Sequence, residues 1–336
     1  MDIHVRNLTN EDYKDLKKSM EKAYGGEAGD VWTKANIEDL IEMFPEGQLG
    51  VEVNGHVVAC ALSILLDAKK TNIFDKYYEI IDDGKFTKHD VDGDTLYGIE
   101  VFVHPDHRSL RLGRRLYDAR KELCEELNIK SIVAGGRIPN YHSHADKMSP
   151  RTYIEKVKRK EIYDPTLTFQ LSNDFHVKKI LKHYLPEDKE SNEFATLLEW
   201  NNIYYDPDVK SSSASKQTIR LGLVQWQMRL FKDINEFYDQ VEFFVDAVSD
   251  YGADFVLFPE FFNTPLMAPF NDLPERAAMK KLAESTSEII KKIQEFAVSY
   301  NVNIVAGSMP LYEYNKLYNA SYLCHRNGKL DLHKKI

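Results

Sequence analysis

Cysteine is scarce: the 336 residues contain three, Cys60, Cys124 and Cys324, far apart and in no paired spacing. That excludes a disulfide framework and a cysteine-based zinc site, and it fits reduced thiols in a cytosolic compartment. Missing too is any apolar run long enough to span a bilayer, and the opening MDIHVRNLTNEDY has no apolar signal-peptide core. Nor is there an excess of positive charge. With 44 Lys and Arg against 53 Asp and Glu the formal net charge is −9, so the chain as a whole repels nucleic acid and anionic membranes. The expectation is a soluble cytoplasmic protein acting on a small molecule, with no nucleic acid and no membrane as partner. Any basic patch must then be local and aimed at something small.

What is present is an ordinary globular mixture, 43% hydrophobic and 29% charged, over a length that predicts about two domains. The best division is DPDVKSSSASKQT, Asp206 to Thr218, which has serines, a proline and no large apolar residue after Val209. This predicts domains over 1–205 and 219–336 joined by a linker over 206–218. Strands and helices alternate on both sides, the mark of an α/β (α+β) chain, and no internal repeat relates the halves.

The first half opens with the strand IHVRNL and a helix in TNEDYKDLKKSMEKAY, capped at Thr9 or Asn10. Two apolar runs joined by Asn54-Gly55 then predict a hairpin. TLYGIEVFVHP, Thr95 to Pro105, reads as a strand ended by proline, and the stretch after it is unusual for an acidic chain. Arg108, Arg111, Arg114 and Arg115 fall within eight positions around Gly113. Leu112, Leu116, Ala119, Leu123 and Leu127 recur at helical spacing, so the helix starts near Leu110 to Gly113. A helix start offers unpaired N–H groups and the positive end of the dipole, glycine admits a close anion, and arginines add forked donors. A phosphorylated cofactor is the natural guest.

From these residues the first half resembles the GNAT acetyltransferase superfamily, whose acetyl-CoA motif reads Gln/Arg-x-x-Gly-x-Gly/Ala after the fourth strand. Arg108 and Gly113 match, and Arg111 stands where a glycine is usual. GIEVFVHP before the motif, GRRLYDARKELC and SIVAGG after it, and NDFHVKKILKHYL and FATLLEW later extend the resemblance over roughly residues 1 to 205. It implies a mixed sheet with flanking helices and acetyl-CoA as co-substrate. It further implies that Arg108, Ser109, Leu110, Arg111, Leu112, Gly113 and Arg114 form the phosphate loop. The backbone of Val101, Phe102 and Val103 would face the pantetheine and the acetyl carbonyl. An amine attacking a thioester needs an oxyanion donor, a base and an acid. Glu100, a carboxylate amid YGIEVFV, is the candidate base and should point opposite Val101; Tyr184 is the candidate acid. His142 and His144 in NYHSH lack a third ligand, so no metal is expected.

After the linker, IRLGLVQWQM reads as a strand. DINEFYDQVEFFVDAVSDYG reads as a helix with Asp233 and Glu236 at capping-box spacing and Gly252 as its stop. ADFVLFPEFF is an apolar strand ending in a single acid, Glu260, whose pKa burial should raise toward that of a general base. This half resembles the start of the nitrilase or carbon–nitrogen hydrolase superfamily. The resemblance runs through NVNIVAGSMP and LYNASYLCHRNGKLDLHKKI and covers 219–336. It implies part of an α-β-β-α sandwich in which Glu260 is the general base and Lys335 the lysine that stabilises the tetrahedral intermediate, with Lys334 in the arginine position. The family's cysteine nucleophile lies further downstream than Ile336, and Cys324, ahead of the lysine, is read as structural. The chain is therefore expected to be a fragment of a longer bifunctional protein, or to need another chain. Apolar sheet surface should be exposed, and copies are expected to associate through the hydrolase half.

Three readings follow. The first is an acetyl-CoA-dependent N-acetyltransferase, acting on a small-molecule amine, fused to an incomplete amidohydrolase. The second makes hydrolysis of an amide or nitrile C–N bond the main activity, with a regulatory acyl-CoA-binding first half. The third is a non-catalytic acyl-CoA sensor.

Overall fold

The structure, a computed structural model, describes residues 2–24, 31–72, 76–186, 188–209 and 219–335. These residues form two compact units, one built on a seven-stranded sheet and one on a five-stranded sheet. Of the expected linker, residues 210–218 lie outside the described residues.

The first unit runs β1 (Ile3–Asn7), α1 (Tyr13–Ala23), α2 (Lys34–Met43), β2 (Leu49–Val53), β3 (His56–Leu66), α3 (Tyr77–Ile81) and β4 (Thr95–Val103). It continues with α4 (Leu112–Glu126), β5 (Ser131–Arg137), α5 (Pro150–Lys158), α6 (Pro165–Leu171), β6 (His176–Leu181) and β7 (Ala195–Asn201). Thr9 and Asp12 make the capping box that leads into α1, and the expected hairpin turns through Asn54 and Gly55, both at positive φ. The sheet order is β1-β2-β3-β4-β5-β7-β6. Strand β4 is antiparallel to β3 and parallel to β5. Leu16, Met20, Ile37 and Leu40 of α1 and α2 cover one face, and Tyr117, Tyr153, Ile154 and Leu167 of α4, α5 and α6 cover the other. Burial on both faces explains why β3 is apolar almost end to end.

The second unit contains β8 (Leu221–Leu223), α7 (Ile234–Asp250), β9 (Phe255–Leu257), α8 (Glu275–Glu284), α9 (Thr286–Ser299), β10 (Asn303–Glu313), β11 (Lys316–Cys324) and β12 (Leu330–Lys335), with sheet order β12-β11-β10-β9-β8. Asp233 caps α7 through the N–H groups of Asn235 and Glu236. The Glu236 carboxylate receives the N–H of Lys232, not that of Asp233, so the box closes one residue early. Helices α7 and α9 pack on one face through Phe237, Val241, Val245, Ile289 and Ile293. The strand expected over IRLGLVQWQM is shorter than its apolar length. Only three residues pair with β9, after which Trp226 turns in among Phe231, Phe237, Phe258 and Phe262. On β8, Gly222 meets Val248 of α7, while Leu221 and Leu223 point the other way and are exposed, Leu223 by 75%. Here the expected apolar exposure is observed.

Candidate functional site

Strands β4 and β5 pair only from Thr95↔Ser131 to Gly98↔Ala134 and then part. On the β3 side, Leu62 lies opposite Glu100 and Ser63 opposite Gly98, so Ile99 is bulged out. The bulge shifts the alternation. Tyr97 and Ile99 share one cluster, yet Val101 joins the opposite one and Phe102 returns to the first. With Phe102 packed against Tyr24 in the core, the cleft edge of this segment is backbone.

At the end of β4, a turn of 3-10 helix (Pro105–Leu110) leads into α4. Arg111, between them, has φ 52 and ψ 30. This is the left-handed conformation that glycine adopts freely and that costs an L-residue about 1–2 kcal/mol. The position where the resemblance leads one to expect glycine thus keeps glycine's backbone while bearing an arginine. Arg108, Ser109 and Arg111 are exposed, and Arg114 is half-buried. Leu112 is buried, so it offers only its N–H, and Arg115 is buried within α4, away from the exposed part of the cluster. Gly113 has a packing reason of its own: a Cβ there would lie 3.0 Å from Cζ of Phe169.

Glu100 stands at the bulge. Its Oε1 accepts the N–H of Val101 at 3.0 Å, so the donor assigned to the acetyl carbonyl is engaged by the neighbouring carboxylate. The Tyr24 hydroxyl and the Trp32 side chain lie beside it. Burial pushes its pKa above the ordinary carboxylate range, against the opposing pull of Tyr24, the Val101 N–H and Arg120. Arg120 is buried and donates from one nitrogen to the carbonyls of Leu62 (2.6 Å) and Glu100 (2.8 Å), pinning the two strands at the bulge. Sequence reasoning missed it. The signal was there: Arg120 occupies the core-facing phase of α4, between Leu116 and Leu123.

Beyond Ala134, β5 continues with a glycine pair. A Cβ on Gly135 would fall 2.0 Å from the Tyr184 ring, and one on Gly136 would fall 2.3 Å from Oε1 of Gln170. Two polar tips therefore reach β5 where it leaves β4, from opposite faces. The Tyr184 hydroxyl is 2.6 Å from that of Tyr97, and burial raises its pKa well above that of an ordinary tyrosine. Gln170 was also missed, although Gly-Gly inside a strand signals close approach. His142 bonds the carbonyls of Pro139 and Glu190, and His144 bonds Ser143; no group of three metal-ligating side chains occurs among the described residues.

In the second unit Glu260 follows β9 and bridges to Ser308. Asn319 and Lys335 lie directly opposite each other on β11 and β12. Asn319 donates to Glu260 Oε1 at 2.6 Å, and the Lys335 ammonium is 3.5 Å from the same oxygen. The two predicted residues thus converge, with Asn319 between them. The expected burial of Glu260 is not observed: its side chain is 57% exposed. Phe258 and Phe262 turn into the helix-covered core instead of walling the carboxylate. Lys334 pairs with Glu313. Cys324 is fully buried, its thiol pushed up to about 12 by desolvation, which agrees with a structural role.

Comparison with known proteins places these two geometries. Residues 13–145 match the Acetyltransferase (GNAT) family and residues 220–336 match Carbon-nitrogen hydrolase. The chain carries a GNAT acetyltransferase domain joined to a carbon–nitrogen hydrolase domain. "Probable hydrolase YhcX" of Bacillus subtilis is 39% identical over 99% of this chain, which spans 64% of that protein. "Uncharacterized N-acetyltransferase YkwB" of the same organism is 29% identical over 60% of this chain and 90% of its own length. Among solved structures, the GNAT-like decarboxylase GphF, in complex with isobutyryl-CoA, has the fold of the first unit. Its TM-score is 0.51 at 18% identity, over 59% of this chain and 99% of that one. No described helix is long and apolar enough to cross a membrane.

Proposed function

We propose that the first unit transfers the acetyl group of acetyl-CoA to a small-molecule amine, and that the second belongs to a hydrolase of amide or nitrile C–N bonds. The observation that carries the first part is the parting of β4 and β5 after Gly98, directly before an arginine-rich helix start. The residues fit the co-substrate. Arg108, Ser109, Arg111 and Arg114, with the Leu110–Gly113 backbone, hold its phosphates. Gly135 and Gly136 keep the cleft edge free of side chains where Tyr184 and Gln170 reach in.

Acetyl-CoA supplies an activated thioester. The backbone of Val101, Phe102 and Val103 orients it, and the Val101 N–H is the donor for the acyl oxygen. Giving up that N–H leaves the Glu100 carboxylate less stabilised and more basic, ready to take the proton of the attacking amine. The Tyr184 hydroxyl serves the departing thiolate, and its burial makes it a weak acid. In the second unit Glu260 is the base and Lys335 the oxyanion partner, with Asn319 orienting the carboxylate. The uncovered apolar edge at Leu221 and Leu223 supports association of copies through this unit. Domain limits at 205 and 219, with 206–218 as connector, and a cytoplasmic location complete the reading.

Calorimetric titration of acetyl-CoA into the chain tests it. Saturable binding that weakens in Arg108→Ala and Arg111→Ala, with thiol release on adding an amine acceptor, is the expected outcome. A folded protein that binds no acetyl-CoA defeats the proposal.

A further inference from the structure

Gln170 is one of several buried polar side chains left with an unpartnered atom among the described residues, and its place in the first unit sets it apart. Only 6% exposed, it sits on α6 with its carboxamide against Gly136, and it hydrogen-bonds the Tyr117 hydroxyl of α4. Its Oε1 is buried and has no hydrogen-bond partner among the described residues. A buried acceptor left unpaired costs about 1–3 kcal/mol, and such groups call for a ligand or an ordered water. The placement says which. Gly136 is two residues past Ala134, the last β5 residue paired with β4, so the orphaned oxygen lies where the cleft begins. Tyr117 is one helical turn beyond Gly113 on α4, and the neighbouring Phe169 packs on Gly113 itself. Gln170 therefore stands between the phosphate loop and the parted strands.

We propose that Gln170 is a binding residue for the pantetheine arm, its Oε1 accepting the amide N–H nearer the thioester. The inference rests on the acyl-CoA reading above. An extended arm passing from the α4 start to the bulge of β4 carries two amides through the cleft. The one nearer the sulfur comes closest to the point where the strands separate. Tyr117 holds the carboxamide nitrogen, which leaves the oxygen free to receive that N–H.

The test is a cycle that alters ligand and protein in turn, read by calorimetry on the full chain. The ligands are acetyl-CoA, an analogue with the nearer amide replaced by an ester, one with the farther amide so replaced, and adenosine 3′,5′-bisphosphate, which lacks the arm. Wild type is expected to bind the near-ester analogue about tenfold more weakly than acetyl-CoA, the size of one neutral hydrogen bond. It should bind the far-ester analogue with less loss. Gln170→Met should bind acetyl-CoA and the near-ester analogue alike, and the bisphosphate as wild type does. Equal wild-type affinity for acetyl-CoA and the near-ester analogue overturns the inference, as does a larger loss with the far-ester one or discrimination that survives in Gln170→Met. If Gln170→Met does not fold, bisphosphate binding is lost and the wild-type comparison of analogues decides alone. Failure of wild type to bind either acetyl-CoA or the bisphosphate overturns the acyl-CoA reading itself, a different and recognisable result.

Discussion

Glu100 and Glu260 stand in equally apolar company, YGIEVFV and VLFPEFF, and they end in opposite environments. Glu100 lies in a sheet with helices on both faces, and burial raises its pKa. Glu260 follows a strand of a sheet whose helices cover one face, and more than half of its side chain is exposed. The aromatic neighbours of Glu260 turn into the covered side and leave the acid outside. Local apolarity therefore does not desolvate a carboxylate; a second packed layer does. The same contrast separates the leucines. Leu62 on β3 is wholly buried, whereas Leu223 on β8 is exposed.

The strongest way to sharpen this contrast is Glu100→Gln. It should lower kcat/KM for acetyl transfer by about 10²–10⁴, the usual contribution of a positioned base. In the wild type the acid limb of kcat/KM against pH should lie above the ordinary carboxylate range and vanish in the variant. Stability carries the same signature with a definite sign. The raised pKa means that the folded state holds the Glu100 proton more tightly than the unfolded chain does. Its contribution is fully present below about pH 4.3, near the unfolded carboxyl value, and is lost as pH rises through the folded pKa. The stability of Glu100→Gln relative to wild type should grow across that window, measured by urea unfolding. An unchanged rate and a flat stability difference would remove Glu100 from the site.

Next in size is the leucine pair. Leu62→Ala should cost about 2–5 kcal/mol and Leu223→Ala less than about 0.5 kcal/mol in denaturant unfolding. Should Leu223→Ala cost as much as Leu62→Ala, the edge of the second sheet is covered in solution and the contrast between the units breaks. Sedimentation at several concentrations would then show whether copies of this chain cover it.

A smaller effect is expected at Arg111. Arg111→Gly removes the left-handed strain and adds unfolded-state freedom, for a net gain of about 0.5–1 kcal/mol in stability. Acetyl-CoA affinity should fall with the lost charge. A variant that loses stability would show that the arginine's contacts outweigh its backbone strain. Smallest is Glu260→Gln, where breaking an exposed pair with Lys335 should change stability by less than about 0.5 kcal/mol. A larger loss would mean that the cluster with Asn319 is more enclosed than its exposure indicates.

Much of the fold was legible because its signals are local. The Asn54-Gly55 turn, the Thr9 cap, the proline after β4 and the 3.6-residue recurrence through Leu112, Leu116 and Leu123 each act within a few residues. The convergence of Glu260 and Lys335 was legible through resemblance, not through spacing, since they lie 75 positions apart. Arg120 and Gln170 were passed over because a polar residue on a helix usually faces water. Their phase on α4 and α6 showed otherwise. The three-residue length of β8 was not legible, because an edge strand pairs only as far as its neighbour extends.

By itself the sequence determined the two alternating α/β halves, the strand–loop–helix order around the arginines, and the absence of disulfide and membrane-spanning signals. These follow from periodicity, turn chemistry and composition, which are properties of short stretches of chain. Tertiary structure alone decided where β4 leaves β5, that Glu100 takes the Val101 N–H, that Arg111 adopts a glycine's backbone, and that Glu260 stays exposed. Each depends on register between distant strands or on which face a helix layer covers. Burial and hydrogen-bond partnership are set by neighbours that the local sequence does not name.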